Sequence, residues 1–324
     1  MNEFELIARL TRSLPANDKT VLGPGDDCAL IDLGLADRWL LFKTDAVVEG
    51  IHFLKTTPAD RIGHKALARP LSDIAAMAGT PTHALVTLAL PQNFKPEVVE
   101  SIYAGMKSLA FRHGVAIVGG ETTTNPERML LSVSVLGTVA KGRPPLRSGA
   151  RAGDAIFVTG ELGGSQAGKH LEFEPRLAEA RWLADHFALH AMIDISDGLA
   201  GDLPHILNAS RVGAELLSDA IPVSRAAKEI ARGGHPQTVN GPPTQVGGWK
   251  QALAAALTDG EDFELLFTVA AGDAVPLLDA WKKQFPELPL SCIGRINAEP
   301  GLTIRDREGV KPLAVHGYVH FQES

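Results

Sequence analysis

Gly142-Arg-Pro-Pro-Leu-Arg-Ser-Gly-Ala-Arg-Ala-Gly153 decides how this chain is organised. Proline fixes φ and removes a donor, glycine loosens the backbone, and neither helix nor strand continues through a run rich in both. The run separates one set of strand and helix signals from a second set that opens with the apolar stretch Ala155 to Thr159. The boundary is therefore expected near 145 to 153, between a unit at 1–145 and a unit at 150–324, and a chain of 324 residues suits roughly two domains.

Upstream of the run, residues 3 to 14 read as a short amphipathic helix with Phe4, Ile7, Ala8 and Leu10 on one side. Trp39 to Phe42 is a continuous apolar run suited to a buried strand, ending at Thr44-Asp45. Thr57-Pro58 has the form of an N-cap followed by proline at the first helical position. Ile62, Ala66, Leu67, Leu71, Ile74 and Ala78 continue that helix as a stripe, which Pro70 is expected to bend or divide. Strands are expected at 84–90, 115–118 and 129–139, the last with Leu131, Val133 and Val135 alternating against Ser132 and Ser134, and a helix at 96–112.

Downstream, the pattern predicts a strand at 155–159, helices within 164–189, a short strand at 192–195, a helix from Asp197 and a strand at 263–269. Residues 232–248 have no periodicity and read as a long loop or lid. Mixed strands and helices in both halves make the fold class α/β, of the α+β type.

Lys and Arg number 31 against 38 Asp and Glu, a net charge of −7, which argues against a nucleic-acid binder held by a broad basic surface. No basic stretch followed by an apolar run opens the chain, and no run of about 18 apolar residues marks a membrane span. Two cysteines, Cys28 and Cys292, make neither a disulfide framework nor a four-thiolate zinc site and suit a reducing cytoplasm.

The chemistry lies in acids placed at turns: Asp26-Asp27, Asp45, Asp73, Glu121, Asp194, Asp197 and Glu261-Asp262. A single such acid commonly caps a helix or closes an Asx turn. If several converge, two carboxylates 4 Å apart repel by roughly 4 kcal/mol at an effective dielectric near 20, so the cluster requires protons or cations. Oxygen ligands without His or Cys suit Mg²⁺ or Ca²⁺. Gly23-Pro-Gly25, Gly119-Gly120 and Gly160-Glu-Leu-Gly163-Gly164 would let backbone N–H groups approach phosphate oxygens, so Mg²⁺ with phosphate is the joint reading. Gly163 to Lys169 fits G-x-x-x-x-G-K, but His170 follows where a P-loop needs Ser or Thr. Gly23 to Cys28 lacks the third glycine of a dinucleotide fingerprint, and no H-E-x-x-H spacing supports zinc hydrolysis.

Seven segments, in order, give the chain a resemblance. They are Gly25-Asp-Asp-Cys-Ala29, Thr44-Asp-Ala-Val-Val-Glu-Gly-Ile-His-Phe53, Leu71-Ser-Asp-Ile-Ala-Ala-Met77, Gly119-Gly-Glu-Thr-Thr123, Ile193-Asp-Ile-Ser-Asp-Gly-Leu199, Gly260-Glu-Asp-Phe-Glu-Leu-Leu266 and Gly317-Tyr318. From about residue 4 to 321 the chain resembles the thiamine-monophosphate kinases, within the superfamily of aminoimidazole ribonucleotide synthetase. The resemblance implies a two-domain fold in which the N-terminal sheet pairs with a second subunit into a barrel, and a C-terminal α+β domain completes the cleft. It implies a cytoplasmic homodimer that transfers the γ-phosphoryl group of ATP to thiamine monophosphate, assisted by several Mg²⁺ ions and without a covalent nucleophile.

By position, the resemblance assigns Asp27, Thr44, Asp45, Asp73, Glu121, Asp194 and Asp197 to metal, with Asp26 behind them. It assigns Tyr103, Gly119, Gly120, Glu121, Thr122, Arg147 and Ser196 to ATP, and His52, Glu261 and Tyr318 to the thiamine substrate. Three positions depart from the family pattern: Glu121 stands for the usual Asp, Lys43 for a small hydroxyl residue, and Asp259 for a glycine. These departures keep open a non-catalytic sensor of thiamine phosphates or nucleotide, and the wider superfamily keeps open an ATP-dependent enzyme acting on another acceptor.

Overall fold

The structure, a computed structural model, describes residues 3–142, 144–233 and 248–313. After a short helix α1 (Glu3–Thr11), strands β1 (Thr20–Leu22), β2 (Ala29–Ile31), β3 (Arg38–Val48), β4 (Thr80–Leu90), β5 (Ala116–Thr124) and β6 (Leu130–Ala140) form one mixed sheet, ordered β1-β2-β3-β6-β4-β5. Strict alternation makes β6 bury one face only: Leu131, Val133 and Val135 are fully buried while the serines between them are not. The parallel pair β4–β5 needs a crossover, and α3 (Pro96–His113) supplies it, opened by proline and closed by Gly114 in the left-handed region at φ 66°.

Strands β7 (Ala155–Thr159), β8 (Leu189–Asp194), β9 (Gly213–Leu217), β10 (Leu265–Val269), β11 (Leu290–Asn297), β12 (Gly301–Asp306) and β13 (Gly309–Pro312) form a second mixed sheet, ordered β13-β12-β9-β11-β7-β10-β8. β7 and β10 are buried at every residue, as continuous apolar runs covered on both faces should be. One face, with Ile156, Val158 and Leu266, packs with α6 (Leu199–Ser210) and α8 (Trp249–Thr258). The other, with Phe157 and Phe267 stacked 5.6 Å apart, joins the core of the first sheet.

Between the two sheets lies α2 (Ala59–Ala76), in contact with β3, β6 and β8 and with the short helices α4 (Lys169–Glu172) and α5 (Leu177–His186). The expected division at Pro70 does not occur: one helix runs through it, because Leu67, Ala68, Leu71 and Ile74 are wholly buried and packing outweighs the single lost backbone bond. Thr57 does not cap it either. Its hydroxyl accepts from the Leu54 N–H at 3.0 Å, closing the preceding turn, and the helix starts two residues later. The helical signal over 164–189 breaks into a 3₁₀ turn at Ser165–Ala167, α4 and α5, because Gly168 adopts φ 141° and Pro175 interrupts. The expected loop at 232–248 falls almost wholly outside the described residues.

Glycine permits the close crossing of α2 and α3. A Cβ on Gly63 would lie 1.8 Å from the Ile102 carbonyl oxygen, and one on Gly105 would lie 1.8 Å from that of Asp60. Gly63→Ala therefore forces the helices apart, and the expected net cost is about 1–3 kcal/mol despite the gain in helix propensity. Calorimetry checks this; a melting temperature equal to or above that of the parent would show that the crossing tolerates separation.

Candidate active site

One turn, one helix and one strand end deliver the acids. Gly25, at φ 130°, turns the chain into Asp26-Asp27; Asp73 projects from α2; Asp194 ends β8. One carboxylate oxygen from each of Asp27, Asp73 and Asp194 lies within 4.8 Å of the other two, and all three residues are buried. The site thus draws on both sheets and the helix between them.

Each carboxylate has a different environment. Arg147 donates from Nη2 to Asp27 Oδ1 at 2.6 Å, while Asp27 Oδ2 is buried without a hydrogen-bond partner. Asp194 Oδ2 accepts from the Ser72 hydroxyl at 2.5 Å. Lys43 places Nζ 2.9 Å from Asp73 Oδ1 and 3.9 Å from Asp45 Oδ2. Asp26 stands behind, accepting from the Arg147 backbone N–H at 3.2 Å.

Burial and mutual repulsion act on the titration of this group. Burial, then the charge of Asp27, pushes Asp194 up to about 7 and Asp26 up to about 6. Burial raises Asp73 well above the ordinary carboxylate range against the pull of Lys43. The neighbouring acids outweigh the burial of Lys43 and raise its ammonium pKa, so it stays charged. Burial also lifts the Cys28 thiol well above its usual value, which leaves it an inert neighbour. Five carboxyls, from Asp26, Asp27, Asp45, Asp73 and Asp194, face two cations, Lys43 and Arg147. That imbalance, and the buried Asp27 Oδ2 without a hydrogen-bond partner, fit a divalent cation held by oxygen ligands.

Other expected residues stand elsewhere. Thr44 lies on β3 between Lys43 and Asp45, so the two-residue period turns its side chain to the opposite face of the sheet. There its exposed hydroxyl accepts from the Ser134 hydroxyl at 3.1 Å. Thr44→Val is accordingly expected to change kcat and the half-saturating Mg²⁺ concentration by less than about threefold; a larger shift in the Mg²⁺ dependence would return the Thr44 side chain to the site. Gly119, Gly120, Glu121 and Thr122 do not form a turn: β5 runs through them at the sheet edge, Glu121 is exposed, and its carboxylate accepts from the Thr122 N–H at 3.1 Å. Gly120 passes so near β4 that a Cβ would meet the Val86 carbonyl oxygen. Tyr103 is half-buried on α3 against the core.

Asp197 follows β8, and its N–H donates to Asp202 Oδ2 at 2.9 Å. The Ser196 carbonyl accepts from the Glu261 N–H at 2.7 Å, which ties the turn after β8 to that before β10. Glu261 belongs to a second cluster: Lys65 Nζ lies 2.7 Å from its Oε1, His170 Nδ1 3.0 Å from its Oε2, and Gln166 donates to it at 2.8 Å. The same Lys65 ammonium donates to the His52 carbonyl at 2.7 Å. Tyr318 lies outside the described residues. Lys65, His170, Asp202 and Ser72 were not legible as site residues, since a lone lysine, histidine or serine within a helical stretch carries no motif; Ser72 was visible only as the neighbour of Asp73.

Comparison with known proteins gives the family. The N-terminal domain family of AIR synthase related proteins matches residues 25–139, and the corresponding C-terminal domain family matches residues 151–307. The thiamine-monophosphate kinase of Rhodopirellula baltica is 39% identical over 300 residues, covering 90% of this chain and 87% of its own. That of Bacillus subtilis is 32% identical, covering 99% of this chain and all of its own. A solved structure described as AaThiL complexed with AMPPCP and TMP superposes with a TM-score of 0.74 at 30% identity, covering 99% of this chain and 97% of that one. Domain families matched in both halves and relatives alike over nearly the whole length place the chain in the thiamine-monophosphate kinase family, with the two-domain architecture of the AIR synthase related proteins.

Proposed function

We propose that Asp27, Asp73 and Asp194, with Arg147, form the centre at which this kinase brings ATP and thiamine monophosphate together. The activity is ATP-dependent phosphorylation of thiamine monophosphate to thiamine diphosphate. The observation that carries the site is the three buried carboxylates within 4.8 Å of one another, one of them with an unpartnered oxygen. Mg²⁺ ions held there, with Asp45 and Asp197 beside them, would offset the repulsion between two polyanionic reactants.

The chain's own residues orient the reactants. Arg147, held by Asp26 and Asp27, offers a planar fork suited to phosphate oxygens. An oxygen of the substrate phosphate attacks the γ-phosphorus in line, the bond to the β,γ-bridging oxygen breaks, and ADP leaves; no protein nucleophile enters. Gly119, Gly120, Glu121, Thr122, Tyr103 and Ser196 would contribute to ATP, and His52, Glu261 and Tyr318 to the thiamine end.

The glycine strand β5 is the edge of its sheet, three places from β3, which carries Lys43 and Asp45. Its outer edge pairs with no described strand, and Phe42, Leu85 and Val118 are 46%, 49% and 59% exposed on this sheet. These features support a homodimer that closes the N-terminal sheet into a barrel. A domain boundary at 145–150 and a cytoplasmic location complete the reading. Free Cys28 and Cys292 support the location, and no helix among the described residues is long and apolar enough to cross a membrane.

The test is formation of ADP and thiamine diphosphate from ATP plus thiamine monophosphate over a range of Mg²⁺ concentrations. Equal formation of both products, dependent on Mg²⁺ and on the thiamine compound, is expected. Saturable binding of both compounds without turnover would overturn the reading.

A further inference from the structure

Lys43 is the one lysine that enters the acid cluster among the described residues. Its place follows from β3, where the inward positions Leu41, Lys43, Asp45 and Val47 alternate with exposed Phe42 and Thr44. A lysine at an inward position directs its ammonium under the sheet, toward α2. There Nζ meets Asp73 Oδ1 at 2.9 Å and faces Asp45 Oδ2 at 3.9 Å. The ammonium is thus shared between two carboxylates, one from the sheet and one from the helix, as a bridging cation would be.

The cluster divides accordingly. On one side, Asp45 and Asp73 Oδ1 already have a positive partner. On the other, Asp27 Oδ1 has the Arg147 guanidinium at 2.6 Å while Asp27 Oδ2 has no hydrogen-bond partner, and Asp194 has a hydroxyl donor in place of a full counter-charge. A divalent ion finds an open carboxylate oxygen in the second group and must displace an ammonium to reach the first.

We infer that the Lys43 ammonium stands in for one of the divalent cations of this centre, neutralising the Asp45–Asp73 pair permanently, so that the chain binds one ion fewer than its carboxylates could hold. The inference rests on the reading of the cluster as a Mg²⁺ centre. Lys43 is on this account a positioning residue: it fixes Asp45 and Asp73 relative to each other whether or not metal is bound. Removing the ammonium while leaving space should open a further ion site, and replacing it by another permanent cation should not.

The experiment counts Mn²⁺ bound to the full-length chain by electron paramagnetic resonance after equilibrium dialysis, without nucleotide, for the parent, Lys43→Ser and Lys43→Arg. Lys43→Ser is expected to bind one more Mn²⁺ per chain than the parent, and Lys43→Arg the same number as the parent. In EDTA, Lys43→Ser is expected to melt below the parent, with the gap closing at saturating Mg²⁺. Equal counts for Lys43→Ser and the parent would overturn the inference while leaving the metal centre intact, as would an extra ion in both variants, which would signify loosened packing. A Lys43→Ser chain that folds neither with nor without Mn²⁺ would also overturn it, since the ion should replace the ammonium. A parent chain that binds no Mn²⁺ would remove the metal centre and the inference together.

Discussion

Asp194→Asn is expected to lower kcat by about 10³-fold while making the metal-free protein more stable at pH 8, a pairing of effects that a structural residue would not give. The side chain ends β8 within the acid cluster, buried and bonded to the Ser72 hydroxyl. Asparagine keeps the shape and can still accept that bond, but it removes the charge that would attract a cation. Stability follows from linkage. Burial and the charge of Asp27 raise Asp194 from 3.8 to about 7, so the folded chain retains a proton that the unfolded chain releases. Stability from this group is therefore full below the unfolded value and declines as pH rises from about 4 to about 7. At pH 8 the ionised carboxylate costs at most about 4 kcal/mol, which asparagine avoids. Melting in EDTA should place the variant above the parent at pH 8 and level with it at pH 4, and saturating Mg²⁺ should remove the advantage. A kcat within tenfold of the parent, or a lower metal-free melting temperature at pH 8, would take Asp194 out of the proposed centre.

Why some of this arrangement was legible in the sequence, and some was not, has physical reasons. Alternation in β6, the apolar run of β7 and the proline-opened α3 specify their own elements, because each pattern matches one period and one pair of ends. The convergence of Asp27, Asp73 and Asp194 was legible only through the resemblance: nothing local to a turn says which other turn it will meet. Thr44 marks a different limit. Its neighbour Asp45 turns inward, 3.9 Å from the Lys43 ammonium, and a strand sends adjacent side chains to opposite faces, so both could not point into one cluster. The strand expected at 115–118 stops before the glycines, whereas pairing with β4 carries β5 on to Thr124. Lys65 was least legible of all. A lysine in an amphipathic helix normally marks the wet face, and here it is fully buried because Glu261, from the other half of the chain, supplies its counter-charge.

That pair carries the second large effect. Glu261→Gln is expected to destabilise the protein by about 3 kcal/mol at pH 7, because removing one partner of a buried ion pair leaves the other uncompensated. Glu261 sits at φ 54° in the turn before β10, held by its N–H on the Ser196 carbonyl, so its carboxylate is aimed at α2 by a strained backbone. Hydrogen bonding from His170 and the charges of Lys65 and Arg69 overcome its burial and hold it well below the usual carboxylate range. Lys65, in turn, is drawn by burial from 10.5 down to about 8 even with Glu261 present. Without Glu261 its pKa should fall further, and the folded chain would then carry a neutral amine where the unfolded chain carries an ammonium. A lysine whose folded pKa lies below its unfolded value makes stability rise with pH across that interval. The penalty of Glu261→Gln should therefore narrow between pH 7 and pH 9, and calorimetry at the two values measures it. Lys65 also holds the His52 carbonyl, so loosening it should free the turn at 48–53 and raise KM for thiamine monophosphate about tenfold, with less change in kcat. A penalty that widens toward pH 9 would show that Lys65 does not depend on Glu261 for its charge. An unchanged KM with the expected loss of stability would make the cluster a clamp between the two halves and nothing more.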